Sequence, residues 1–566
     1  MSRMENVEVA LGNKNAELVI KNTNIFNVFT GEIEKGDLAV HNGYIVGIGE
    51  YNGDIQIDGT GKTIVPGFID GHIHLESSIV TPYQFANAVI SHGTTAVITD
   101  PHEIANVCGT KGIDYILEAT KNLPIDVYIM IPSCVPATPF DESGYTIDAD
   151  ILTQYLDNDR VLGLAELMNF PGVFMLDKGV FDKINATAAV NKIIDGHAPG
   201  VAGMQLNAYT AAGVYSDHEC TNYTEGLDKI RRGQWIMIRE GTAGKNLEAL
   251  LPLCSEQYYH RCLFATDDKH PGELVSDGHI DYIIRKAIKN GVAPEIAYRI
   301  ATINAANYFG LSQTGAICPG YRADFVILDD YNEVTINSVY KDGVKVADNQ
   351  NGNKWIIESE DIRELDASDD ICDTVHIKTV TANDFAINTS KNVIGLVPGQ
   401  ILTTDEGMAD AVNTDEDIVK LAVIERHHNT GHIGLCYVKG YGIREGAVAT
   451  SIAHDSHNII CVGVSDEDMA CAVNELKKLK GGMVVVKDGV VVEELALPIA
   501  GLMCKLPALE AQLKMDSVKK AAYDMGVSDK IDPFMTLSFA SLAVIPTLRL
   551  TTLGVVDVNK FELLKD

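Results

Sequence analysis

No run in this 566-residue sequence approaches the ~18 consecutive apolar residues that a membrane-spanning helix requires. Its opening stretch, MSRMENVEVALGNKNAEL, lacks an apolar region of signal-peptide length, so no secretion signal is expected there. The eleven cysteines are odd in number, and no two form a C-x-x-C pair. They point to neither a disulfide framework nor a thiolate zinc site, and a reduced, cytoplasmic location is the expectation. Basic charge is scarce as well: 45 Lys and Arg stand against 78 Asp and Glu, for a net charge of −33 and a pI near 4.8. Such a surface repels phosphate backbones and anionic headgroups, which argues against nucleic-acid and membrane partners. A neutral or cationic small substrate fits it better, although acidity also serves plain solubility. There is no repeat, heptad array or low-complexity tract.

What is present reads as ordinary globular protein, 46% hydrophobic and 22% charged. The length predicts more than one domain. Residues 17–65 alternate apolar and polar positions between Gly and Asn turns, as short strands do, and the same texture returns in residues 315–346. These segments are expected to pair into one small discontinuous β-sandwich domain (1–65 and 314–357), interrupted by a larger domain at 66–313. An acidic stretch at 358–370 reads as a linker, and 375–566 as a further α/β domain.

The interrupting segment holds eight strand-like runs, at 64–76, 93–100, 126–133, 160–169, 190–199, 211–219, 234–241 and 261–268, with helical patterns between several of them. Near-continuous apolar strands alternating with helices imply a parallel sheet covered on both faces. Eight such units in about 250 residues predict a (β/α)8 barrel.

Barrel enzymes build their sites from the C-terminal ends of the strands. The first run ends in His72 and His74, two apart and therefore on one face. The fourth ends with Glu166, the fifth with His197, the sixth with His218 and the eighth with Asp267. Four imidazoles and two carboxylates at one end of a barrel suit Mn, Fe or Zn.

This ordered pattern resembles that of the amidohydrolase superfamily. PGFIDGHIHLE is similar to its first-strand motif and GAICPGYRADFVIL to its return into the small β-domain. Many members carry a carboxylated lysine on strand four; here VLGLAELMN has none, and Glu166 takes its place. That glutamate, with DPHEIANV, IDGHAPG and ATDDKHP, resembles the bacterial adenine deaminases, and GIREGAVATSIAHDSHNIICVG is similar to their extra C-terminal domain. The resemblance implies two divalent cations, manganese first, with Fe(II) or zinc as alternatives. It implies that His72 and His74 bind one metal, that Glu166 bridges to a second held by His197 and His218, and that Asp267 binds metal and shuttles a proton. Adenine and water are the implied reactants, in a homo-oligomer. The rivals are an amidohydrolase acting on a cyclic amide or N-acyl group, and an inactive barrel that only binds.

Several residues have two readings. Asp268 adjoins Asp267, and strand alternation admits only one to the site; the choice of Asp267 rests on the resemblance. Glu219 points outward in an ideal strand, which leaves it as a barrel-edge ion-pair partner or a catalytic group. His102 and Glu103 lie within reach of the pocket mouth, to touch substrate or metal or neither. Glu76 forms a local H-x-E with His74, but the P-C-x-x-C of the zinc nucleobase deaminases is absent. His427, His428, His432, His454 and His457 cluster in the last third, as surface or turn residues or as part of a lid. His454 is the candidate for substrate binding.

Overall fold

The computed structural model describes residues 3–351, 354–355 and 362–564, so residues 358–361 of the acidic linker lie outside it. Eight short parallel strands form its centre. They are β1 (Phe68–Ile73), β2 (Thr94–Thr99), β3 (Asp126–Ile131), β4 (Val161–Leu167), β5 (Ile193–Gly196), β6 (Ser216–Asp217), β7 (Trp235–Arg239) and β8 (Cys262–Ala265). Each falls inside one of the eight runs read from sequence. β1 through β5 make one ladder and β6 through β8 a second. The ring closes where Ile73 and Asp267 form a parallel bridge: Asp267 N–H donates to His72 O at 2.9 Å and His74 N–H to Asp267 O at 3.3 Å. Across the other seam, Gly196 N–H donates to Ser216 Oγ at 3.0 Å.

β1 and β2 are buried along their whole length, which is why they read as apolar runs without alternation. Closure also needs a residue without a side chain on β1. A Cβ on Gly71 would lie 2.1 Å from Leu263 Cδ1 and 3.1 Å from Phe264 O on β8.

The segments on either side of the barrel pair with one another. Thr63–Pro66 runs antiparallel to Phe325–Asp330, and together they sit in one nine-stranded sheet built from both sides of the barrel. Its own core includes Ile20, Ile25, Leu38, Ile64, Phe325 and Tyr340. The last third is an eight-stranded sheet with helices Asp466–Leu479 and Ala508–Asp524, followed by a three-stranded sheet. This domain is laced onto the barrel: Thr81 N–H donates to Cys504 O at 3.0 Å and Cys504 N–H to Ile79 O at 2.9 Å. Among the described residues, no helix is long and apolar enough to cross a membrane.

Candidate metal centre and its second wall

Glu166, at the end of β4, stands at the middle of the strand-end residues. Its Oε1 lies 3.3 Å from His74 Nε2 and 3.8 Å from His72 Nε2. Its Oε2 lies 2.7 Å from His197 Nδ1 and 3.0 Å from His218 Nε2. Oε1 thus faces His74 and His72, with His102 Nδ1 also at 3.6 Å, and Oε2 faces His197 and His218. Asp267 Oδ1 lies 3.0 Å from His74 Nε2 and 3.5 Å from His72 Nε2. Burial opposes ionisation of both acids. The imidazoles of His218, His197 and His74 nevertheless hold Glu166 well below the usual carboxylate range, and Arg239, His72 and His74 do the same for Asp267.

This donor chemistry fits divalent cations. Imidazole nitrogen with carboxylate oxygen suits Mn, Fe and Zn, and the sets His72/His74/Asp267 and His72/Glu166/His218 each bring their donor atoms within 4.8 Å of one another. His72 Nε2 is buried and has no hydrogen-bond partner, as a nitrogen kept for a cation would be.

The scaffold behind these groups is polar and tight. Asp217 of β6 accepts from Ala198 N–H at 2.7 Å and from the buried ammonium of Lys229 at 2.9 Å, which ties the His197 and His218 turns together. Asp195 accepts from Ser216 at 2.9 Å and from Tyr308.

Two expectations drawn from strand alternation are corrected here. β6 ends at Asp217, so the pleat no longer governs Glu219, which turns inward: its carboxylate lies 3.4 Å from His218 Nε2 and takes both nitrogens of Arg239. β8 ends at Ala265, and Asp267 adopts a left-handed backbone with φ of 59°. Aspartate tolerates that conformation better than most residues. The twist lets both acids reach the site, Asp267 toward His72 and His74 and Asp268 into the pocket above, where Ser77 Oγ donates to it.

Arg239, at the end of β7, was not singled out from sequence. Its Nη1 donates to Asp267 Oδ2 at 2.6 Å, linking Glu219 to Asp267. Its position at a strand end was the available signal. His102 sits against the cluster, with Nδ1 3.1 Å from Asp100 Oδ2 and 3.6 Å from Glu166 Oε1. Glu103 faces the other way, toward the C-terminal domain.

That domain supplies a second wall. The loop between strands Ala447–Thr450 and Ile459–Gly463 brings His454 Nδ1 to 2.9 Å from Glu103 Oε1, with its ring stacked on Phe539 at 4.6 Å. His457 Nδ1 accepts from Ala453 N–H at 3.2 Å, so Nε2 carries the proton and donates to Glu103. That tautomer makes Glu103, His454 and His457 a hydrogen-bonded clamp between domains rather than a ligand set. Asp455 of the same loop, also not foreseen, lies 4.0 Å from His102 Nε2, and burial pushes its carboxyl up to about 6. The enclosed pocket is lined by Glu76, Asp268 and His454 on its polar side and by Phe534, Met535 and Phe539 on its apolar side. The remaining histidines lie along the domain seam: His427 Nε2 is 2.8 Å from Ser456 O, His428 Nε2 3.0 Å from Ser143 O, and His432 Nδ1 2.9 Å from Glu142 Oε1.

An eight-stranded parallel barrel with this buried histidine–carboxylate cluster is the architecture of a barrel hydrolase, and the amidohydrolase family profile matches residues 63–358, more than half of the chain. The adenine deaminase C-terminal domain profile matches residues 400–562. Adenine deaminase 2 of Carboxydothermus hydrogenoformans is 46% identical over 568 residues, covering 98% of each chain. The adenine deaminase of Clostridium acetobutylicum is 44% identical over 571 residues, 99% of each. This chain therefore belongs to the adenine deaminase family of amidohydrolases. Among solved structures, the dihydropyrimidinase of Brevibacillus agri aligns with a TM-score of 0.46 and 14% identity, over 59% of this chain and 95% of that one.

Proposed function

We propose that the protein hydrolyses adenine to hypoxanthine and ammonia at a centre of two divalent cations, manganese first, with Fe(II) or zinc as alternatives. The observation that carries this reading is Glu166, whose Oε1 faces His72, His74 and His102 and whose Oε2 faces His197 and His218, in a chain that matches an adenine deaminase over 98% of its length. His72, His74 and Asp267 would hold one cation and His197 and His218 the other, with Glu166 between them. Cations held there supply the positive charge that lowers the pKa of a water and makes it nucleophilic near neutral pH.

The chain's own groups do the rest. Arg239 holds Asp267 ionised and fixes its plane, so the carboxylate is ready to take a proton from water and deliver it to a ring nitrogen. The water oxygen bonds to C6, and after a second proton reaches the amine the C6–N bond breaks and ammonia leaves. Glu219, with both oxygens taken by Arg239, positions that arginine rather than acting on substrate. His102 stands beside Glu166 as a further ligand or proton carrier. Glu103 orients His454, which closes over the base and excludes water.

Protein loaded with a defined metal should release ammonia from adenine and not from dihydropyrimidines or N-acetyl sugars. Adenosine should react far more slowly, because the pocket is walled by Phe534, Met535 and Phe539. A rate on a cyclic amide above that on adenine, or equal kcat/KM for adenine and adenosine, would defeat the reading.

A further inference from the structure

Glu76 lies in a short helical turn, Leu75–Ser78, immediately after β1, on the polar side of the pocket between barrel and C-terminal domain. The residue is buried, with 2% residual exposure. One oxygen is held: Oε1 accepts from Ile104 N–H at 3.0 Å. The other, Oε2, is buried and has no hydrogen-bond partner. Three flanking donors are committed elsewhere. Ser77 Oγ donates to Asp268, and His454 and His457 serve Glu103. A buried acceptor left without a partner is destabilising, more so when it is charged. The carboxyl plane is fixed by Ile104, so the free oxygen is preorganised for a donor that the chain does not supply.

We propose that Glu76 is a specificity-determining residue, whose Oε2 accepts a hydrogen bond from a ring N–H of the heteroaromatic base bound in this pocket. The inference rests on the reading above and extends it to a residue that the metal cluster and the proton transfer do not use. A fixed carboxyl acceptor selects a flat, neutral base with an N–H on that edge. It rejects ligands that present an acceptor or a negative charge there, so phosphorylated purines are excluded by charge as well as by size.

Glu76→Gln tests this sharply. Ile104 N–H still needs an acceptor, so the amide oxygen turns to it and the NH2 faces the pocket, replacing an acceptor with a donor. KM for adenine and Kd for hypoxanthine, the latter by calorimetry, should rise about 10- to 100-fold. Metal content should not change. The unliganded variant should melt no lower than wild type, because a neutral amide is less costly than a carboxylate to bury without a full set of partners, and Glu76→Ala should show the same ligand defect. Unchanged KM and Kd would overturn the proposal, as would a lowered melting temperature with KM intact, the mark of a structural role. Wild-type protein inert toward adenine would overturn the preceding reading instead, and hypoxanthine calorimetry on the two proteins would then decide the role of Glu76 by itself.

Discussion

The two walls of the pocket are built on opposite plans. At the barrel end the acids are held many times over: Glu166 meets five imidazoles, and Asp267 meets two imidazoles and a guanidinium. Every one of these groups stands at or just beyond a strand end, where the barrel holds it rigidly. The C-terminal wall is tied on by scattered polar contacts, the clamp of Glu103 by His454 and His457 and the seam bonds of His428 and His432, and it lines the pocket with Phe534, Met535 and Phe539 beside the Lys519–Asp532 ion pair. Rigid strand ends suit chemistry, which tolerates little displacement of reacting groups. A separately folded wall can define the shape of the substrate without disturbing the charges below it.

The sharpest way to break this contrast is at its centre. Glu166→Gln keeps the shape and removes the charge between the two histidine pairs. Groups that merely support a metal's ligands are typically worth 10–100-fold in affinity or activity, so loss of the bridging charge should cost more than about 100-fold in ammonia release and should lower metal content measured by elemental analysis. Full turnover with two metals bound would remove Glu166 from the bridging role.

A smaller effect is expected in the other wall. His454→Ala deletes the ring stacked on Phe539 and one arm of the clamp. KM should rise or kcat fall by about tenfold, the equivalent of one lost hydrogen bond to a charged group, while the variant still folds and its metal content stays as in wild type. Wild-type kinetics would return the histidine to a structural part; metal loss would show that the two walls are not separable.

The smallest effect is on stability. Burial alone would lower the His454 pKa, but Glu103 outweighs it and raises it to about 9, with Asp268 and Asp455 also contributing. The folded-state pKa is therefore above the unfolded value of roughly 6.5, and the stabilisation is present in full below that value and is lost as pH rises through about 9. Melting temperatures of wild type should drop across that window more than those of His454→Gln. Parallel curves would mean that the clamp does not depend on a charged imidazole.

Much of this was readable along the chain. Most barrel strands announced themselves as apolar runs, β6 (Ser216–Asp217) being the plainest exception, and His72, His74, Glu166, His197, His218 and Asp267 stood out because a parallel barrel puts every strand's C-terminal end on one face. What misled was the pleat. Alternation holds only while the ladder lasts, and β6 and β8 stop before Glu219 and Asp267. Arg239 was visible as a strand-end residue, yet nothing local marks its partners, which lie 20 and 28 positions away.

The sequence by itself determined the strand periodicity, the ligand types and their order, because these depend on neighbours within a few residues. Only the tertiary structure decided how the two walls meet. Glu103 and His457 are 354 positions apart, and their contact exists because the last third of the chain packs on the barrel along the Val80–Cys504 seam. The same docking brings Phe539 and Met535 over the barrel and buries Glu76 Oε2 without a partner. No local pattern encodes such a juxtaposition, since the burial of apolar surface that drives docking is non-directional and leaves no spacing in the chain.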